Sequence, residues 1–181
     1  MSRSDEPSGV VPAERTDYWN AFYADGGVAR RPVPSQFAAF VAGERDGPTR
    51  ILEFGSGSGR DSLFLAAHGH DVTGVDGSKA AVEACSELAE ELGLDVEFVS
   101  ASIDQEGLAA QLRVEPGNTL VYARFFVHAI TDDEQAAFLR LVAELTSPGD
   151  RLAVEYRTVR DSSGAKVTGR HYRRFVDPTS F

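Results

Sequence analysis

Ile51-Leu52-Glu53-Phe54-Gly55-Ser56-Gly57-Ser58-Gly59-Arg60-Asp61 decides the fold. A short apolar run, Ile51 to Phe54, leads into three alternate glycines and then into Asp61 to His68. In that segment Leu63, Phe64, Ala66 and Ala67 recur as one side of a helix, with Gly69 as its C-cap. Glycines at the carboxyl end of a strand let the backbone turn tightly and approach a bound molecule with no Cβ in the way. Glu53, two residues before Gly55, sets a carboxylate where a cationic group is attracted and a pyrophosphate repelled. The next strand-like run, Asp71 to Asp76, ends in a carboxylate suited to accept from both hydroxyls of a ribose.

The same alternation continues outward. Ser78 to Leu92 is a helix, N-capped by Ser78 and stopped by Gly93. Asp95 to Ser100 is a third strand, Asp104 to Leu112 a short helix, and Thr119 to Ala123 a fourth strand. Asp132 to Leu145 is another helix and Arg151 to Tyr156 a fifth strand. Strand-helix alternation of this kind calls for an α/β architecture: a doubly wound, mainly parallel, Rossmann-like sheet with helices on both faces. Upstream, Asp17 to Tyr23 and Ser35 to Val41 read as two further helices. The expected organisation is a disordered leader over residues 1–15 and one domain over 16–181. Within that domain the N-terminal helices span 16–45, the core 50–160, and an incomplete basic segment 161–181.

Composition narrows the function. A chain of 181 residues with 42% hydrophobic and 25% charged side chains is an ordinary soluble globular domain. No apolar stretch approaches the roughly 20 residues of a bilayer span, so no membrane is expected. One cysteine and four scattered histidines exclude an internal disulfide and give no zinc spacing, so no metal is expected and the cytoplasm is the default compartment. Cys85, inside a helix, reads as packing. Residues 1–149 carry 11 Lys/Arg against 24 Asp/Glu, which disfavours nucleic acid as a partner. The last 32 residues reverse that balance, 7 against 4. Arg157, Arg160, Arg170, His171, Arg173 and Arg174 there suit an anionic group of a substrate, or else pair with the protein's own acids.

S-adenosylmethionine, which carries an ammonium and a sulfonium, answers the acids around the glycine loop. A nicotinamide dinucleotide fits less well, because the third glycine is displaced from the G-x-G-x-x-G spacing. Ile51 to Ser78, ILEFGSGSGRDSLFLAAHGHDVTGVDGS, resembles motif I and the following acidic strand of class I S-adenosylmethionine-dependent methyltransferases. It is closest to the small-molecule branch whose loop reads G-R-D or G-R-N and whose second strand reads V-T-G-V-D. The resemblance implies that Glu53, Gly55, Ser56 and Gly57 surround the methionine part, and that Asp76 and Gly77 meet the ribose. It puts Ser102 in the slot of the acid that usually meets the adenine, followed by the backbone N–H of Ile103, with Asp104 as a substitute acid. The Ala123 carbonyl falls near the ligand ammonium. Tyr18, Trp19, Phe22 and Tyr23 read either as aromatics fixing a helix to the sheet or as a lid, with Tyr18 and Tyr23 reaching the cofactor. The implied activity is methyl transfer to oxygen or nitrogen of a small-molecule acceptor such as a sugar, a sugar phosphate or a natural-product acid. A catalytically silent S-adenosylmethionine-binding module acting through a partner is the alternative.

Two residues are candidates for chemistry. Arg124, at the carboxyl edge of the fourth strand, suits the methionine carboxylate or an acidic acceptor, or is a surface arginine. His128 is the general-base candidate because imidazole titrates near neutral pH, set against a packed histidine in an apolar run. Transfer from a sulfonium needs mainly alignment, and a carboxylate acceptor needs no base. The family carries seven strands where five are legible here, so the chain is either truncated or a naturally shortened domain. Its fifth-strand edge is expected to be covered by a homodimer partner, another chain or the folded-back tail.

Overall fold

A computed structural model describes residues 12–24, 33–112, 117–163 and 174–179. Five strands form one parallel sheet: β1 (Arg50–Phe54), β2 (Asp71–Asp76), β3 (Val96–Ser100), β4 (Thr119–Arg124) and β5 (Arg151–Glu155). Their order across the sheet is β3-β2-β1-β4-β5, so the chain leaves β1 in one direction for β2 and β3 and returns to its other side for β4. That reversal opens a crevice above the carboxyl ends of β1 and β4, where doubly wound sheets bind ligands. Register sets Phe54 opposite Val75 and Ala123, and Arg124 opposite Glu155.

Helices α1 (Pro12–Ala24), α2 (Gln36–Gly43), α3 (Arg60–Ala67), α4 (Lys79–Leu92), α5 (Leu108–Leu112) and α6 (Asp132–Leu145) surround the sheet. Side chains alternate across each strand. Leu52, Phe54, Val121 and Ala123 therefore pack with Leu108, Phe138 and Leu141 of α5 and α6. Ile51, Leu120 and Tyr122 pack with Ala38, Val41 and Leu65 of α2 and α3 on the other face. Burial on both faces explains the continuous apolar strands.

Several expected boundaries shift. Helix α1 begins at Pro12, so residues 12–15, expected in the leader, carry its first turn; proline's missing N–H costs nothing at that position. The helix expected from Asp104 starts only at Leu108, after turns over 103–107. In α3 the buried residues are Asp61, Ser62, Leu63 and Leu65, whereas Phe64 and Ala66 are half-buried and Ala67 exposed. The expectation weighed apolarity alone, but this helix turns two polar residues toward the site. Ser78 and Gly93 cap α4 as the sequence indicates. After β5, Val176 forms a bridge with Thr158 and is buried in the core, so part of the tail does fold back. Leu152 of β5 remains exposed.

Candidate active site

A cavity of about 490 Å³ opens at the carboxyl ends of β1, β2 and β4. Its floor is the glycine loop. Gly55 and Gly57 have φ of +73° and +51°, a region L side chains rarely adopt. A Cβ on Gly57 would collide with the Tyr23 hydroxyl, and one on Gly55 would lie 2.8 Å from Phe126. The loop is thus pressed between α1 and the segment after β4, and only glycine permits it.

Three acids gather around that loop, Asp61 and Glu53 buried and Asp76 half-buried, and their donors set them apart. Asp61 accepts from the Ser35 N–H at 2.8 Å, the Ser35 hydroxyl at 2.7 Å and the Tyr122 hydroxyl at 2.9 Å. These bonds tie α2, α3 and β4 together, and they explain why α3 buries an aspartate. Asp76 accepts from the N–H groups of Gly57 and Ser78, each at 2.8 Å, and so fixes the loop. Burial still holds its carboxyl above the usual range. Glu53 is 3% exposed and receives a single side-chain donor, the Ser62 hydroxyl. Burial first, and then the neighbouring Asp61, push Glu53 up to about 8. A carboxyl kept protonated by desolvation loses its proton to solvent when a cation placed beside it stabilises the carboxylate.

Helix α1 forms the roof. Trp19 and Tyr23, one turn apart and stacked at 5.9 Å, face the cavity. Tyr18 does not line it: residues 19 and 23 share a helix face that 18 does not, so Trp19 takes the place expected of Tyr18. Asn20 accepts from the Ser78 hydroxyl at 2.8 Å, and Arg15 pairs with Glu134, joining α1 to the starts of α4 and α6. Burial raises the Tyr23 phenol above its ordinary value, aided by Asp76, so it stays neutral. Cys85, 3.2 Å from the Gly57 carbonyl, is pushed up to about 12 by burial, and as a neutral thiol it packs rather than reacts.

Of the residues singled out from the sequence, Glu53, Gly55, Ser56, Gly57, Asp76, Gly77, Ser102, Ile103, Tyr23 and Arg124 line the cavity. Asp104 does not; it accepts from the Ser102 hydroxyl and holds the turn behind it. Ala123 is fully buried within β4, away from the wall. His128 is also outside. The short 3-10 turn Val127–Ala129 directs Phe126, Ala129 and Ile130 to the cavity and His128 away from it. Its ring accepts from the Arg157 N–H at 3.4 Å and its carbonyl from the Arg174 N–H at 2.9 Å. The general-base expectation gives way to a packed histidine. Of the two readings open for the basic tail, Arg174 takes the second: it pairs with Asp132 and donates to Gln135 and the Val127 carbonyl. Arg170, His171 and Arg173 lie outside the described residues.

The wall also holds residues not expected there, Arg15, Asp61, Phe125 and Glu134 among them. Phe125 has φ +55°, strain of order 1–3 kcal/mol for a bulky residue, which a site retains only when its surroundings over-determine it. Nothing in the sequence signals that angle. Glu134 was open to discovery, because Thr131-Asp132-Asp133-Glu134 is a capping-box pattern and the structure forms it.

A cavity of this size at the strand-order reversal suits a nucleoside ligand, and its residues fit S-adenosylmethionine specifically. The Ser56 hydroxyl is buried without a hydrogen-bond partner, Glu53 has unused acceptor capacity, and Asp76 stands at the end of β2. Fold and site together define a Rossmann-like S-adenosylmethionine-dependent methyltransferase class. The chain belongs to the family described as Methyltransferase domain, which matches residues 51–149, more than half its length. It is 30% identical over 131 residues to a Ubiquinone biosynthesis O-methyltransferase of Caulobacter sp., covering 71% of this chain and 50% of that protein. The chain therefore spans about half the length of the curated relatives it matches. A Geobacter sulfurreducens SAM-dependent methyltransferase solved with S-adenosylhomocysteine shares the fold at TM-score 0.54 and 20% identity, covering 76% of this chain and 54% of that one. The 4+2 cyclase SpnF does so at TM-score 0.64 and 20% identity, over 91% and 67%. Backbone likeness alone thus leaves the chemistry to the site.

Proposed function

We propose that this chain transfers a methyl group from S-adenosylmethionine to an oxygen or nitrogen of a small-molecule acceptor. The observation that carries the reading is Glu53, a buried carboxyl with one donor beside a glycine loop. Glu53 and Ser56 would hold the methionine part, Asp76 the ribose, and Ser102 with Ile103 the adenine end. The cofactor supplies an activated methyl on a sulfonium. Trp19 and Tyr23 roof the cavity and exclude water, so the residues contribute chiefly alignment. No histidine lines the cavity among the described residues, which favours an acceptor atom that needs little help losing a proton. The Caulobacter relatives, named O-methyltransferases, support oxygen. Calorimetry with S-adenosylhomocysteine and with NAD, followed by product detection across a panel of acids and phosphates, tests the reading. Tighter binding of NAD than of S-adenosylhomocysteine would overturn it.

A further inference from the structure

At the far side of the crevice Arg124 and Phe125 of the wall meet Arg157, which lies outside the lining. Arg124 ends β4, its side chain is 20% exposed, and its guanidinium lies 4.0 Å from the centroid of the Phe125 ring. Arg157, two residues past β5, lies 5.3 Å from the same centroid. Arg124 Nε stands 2.5 Å from Glu155 Oε2, the one acid paired with this group among the described residues. Both of those atoms are buried and off the line of a good hydrogen bond. Neither Nη atom of Arg124, nor any guanidinium nitrogen of Arg157, makes a hydrogen bond among the described residues. Two cations therefore flank one ring with donors to spare and a single carboxylate, set against Arg124, on a backbone held at positive φ.

With one carboxylate against two guanidiniums, the arrangement keeps a net positive charge that a further anion would offset. From the register of the sheet, Arg124 sits one strand from Phe54 and Arg157 follows the strand beyond. Adjacent strands are about 4.8 Å apart, so Arg124 and Arg157 stand roughly 5 and 10 Å from the Glu53 strand and one strand further from Asp76. Attracting a second, separate molecule suits that distance better than gripping the cofactor's own carboxylate.

We propose that Arg124, Phe125 and Arg157 form an anion subsite that holds a carboxylate or phosphate of the methyl acceptor. The inference rests on the methyltransferase reading above and adds the class of acceptor. Guanidinium forks grip either anion by paired hydrogen bonds, and the Phe125 ring keeps both planes oriented.

The test uses the full chain saturated with S-adenosylhomocysteine, into which benzoate and, separately, inorganic phosphate are titrated by calorimetry. At least one probe binds the saturated complex, and its identity separates a carboxylate from a phosphate acceptor. Arg124→Gln and Arg157→Gln each weaken that probe at least tenfold while S-adenosylhomocysteine affinity stays within twofold. Arg157 has no ion pair among the described residues, so its variant folds even where the loss of Arg124 from Glu155 destabilises the edge. Unchanged probe affinity in Arg157→Gln, or no probe binding to the saturated wild type, overturns the subsite and leaves the cofactor reading intact. Failure of the wild type to bind S-adenosylhomocysteine overturns both.

Discussion

Glu53→Gln should stabilise the ligand-free protein and cripple it as a cofactor binder. In the unfolded chain the Glu53 carboxyl titrates near its ordinary value of 4.5, while in the folded chain burial holds it up to about 8. Between those values the folded state binds the proton and the unfolded state does not, so this residue makes stability fall as pH rises. Each unit is worth about 1.4 kcal/mol. From pH 5 to pH 7 the wild type should therefore lose about 3 kcal/mol relative to a variant that cannot ionise. Gln keeps an oxygen for the Ser62 hydroxyl, so the hydrogen bond survives the exchange. Urea midpoints for both proteins at pH 5 and 7 measure the difference, and the comparison cancels every other titrating group. With S-adenosylhomocysteine the order inverts at neutral pH, because only the carboxylate attracts the ligand ammonium and wild-type binding releases Glu53's proton. Buffers of different ionisation enthalpy reveal that proton in calorimetry. A pH-independent difference between the two proteins, or binding heats that ignore the buffer, would refute the reasoning.

Asp76→Ala removes the acceptor of two backbone N–H groups at 2.8 Å, so stability falls by about 2–4 kcal/mol. Affinity for S-adenosylhomocysteine falls by a further 2–3 kcal/mol or so, and an unaltered dissociation constant would mean the ribose is held elsewhere. Gly57→Ala is strained by its φ of +51° and by the Tyr23 hydroxyl. Adding Tyr23→Phe should recover about 1 kcal/mol in a double-mutant thermal-melt cycle, whereas strict additivity would show that the two do not meet. His128→Gln should cost stability and leave the pH profile of turnover unshifted, and a profile that loses its acidic limb would restore the histidine to the chemistry as a base.

The architecture was legible because it is written locally. Gly55 to Gly59, the Val75-Asp76 strand end and the Ser78 and Gly93 caps each announce themselves within a few residues, and all fall where the sequence sets them. Contacts across the chain were not. Arg15 meets Glu134 over 119 positions, and no periodicity links them. Tyr18 and Trp19 are indistinguishable by composition, and only the phase of α1 against α4 selects Trp19 and Tyr23. His128 followed a sound chemical prior, but a one-turn 3-10 segment rotated it toward the tail. Phases of this kind are set by packing rather than by neighbouring residues.

Why one acid in this loop serves a ligand and another the fold cannot be settled by residue type. Asp61 and Glu53 are equally buried, at 3% exposure each, and both border the cavity. Three donors from Ser35 and Tyr122 satisfy Asp61 within the protein, so removing it would orphan donors on α2 and β4. Glu53 receives one donor and carries the cost of desolvation as a raised pKa. A buried ionisable group left short of partners destabilises the empty protein, and such a residue persists where a ligand supplies the missing interaction. Counting donors therefore separates the three: Asp61 joins the elements, Asp76 shapes the loop with both oxygens, and Glu53 keeps acceptor capacity for the ligand proposed above.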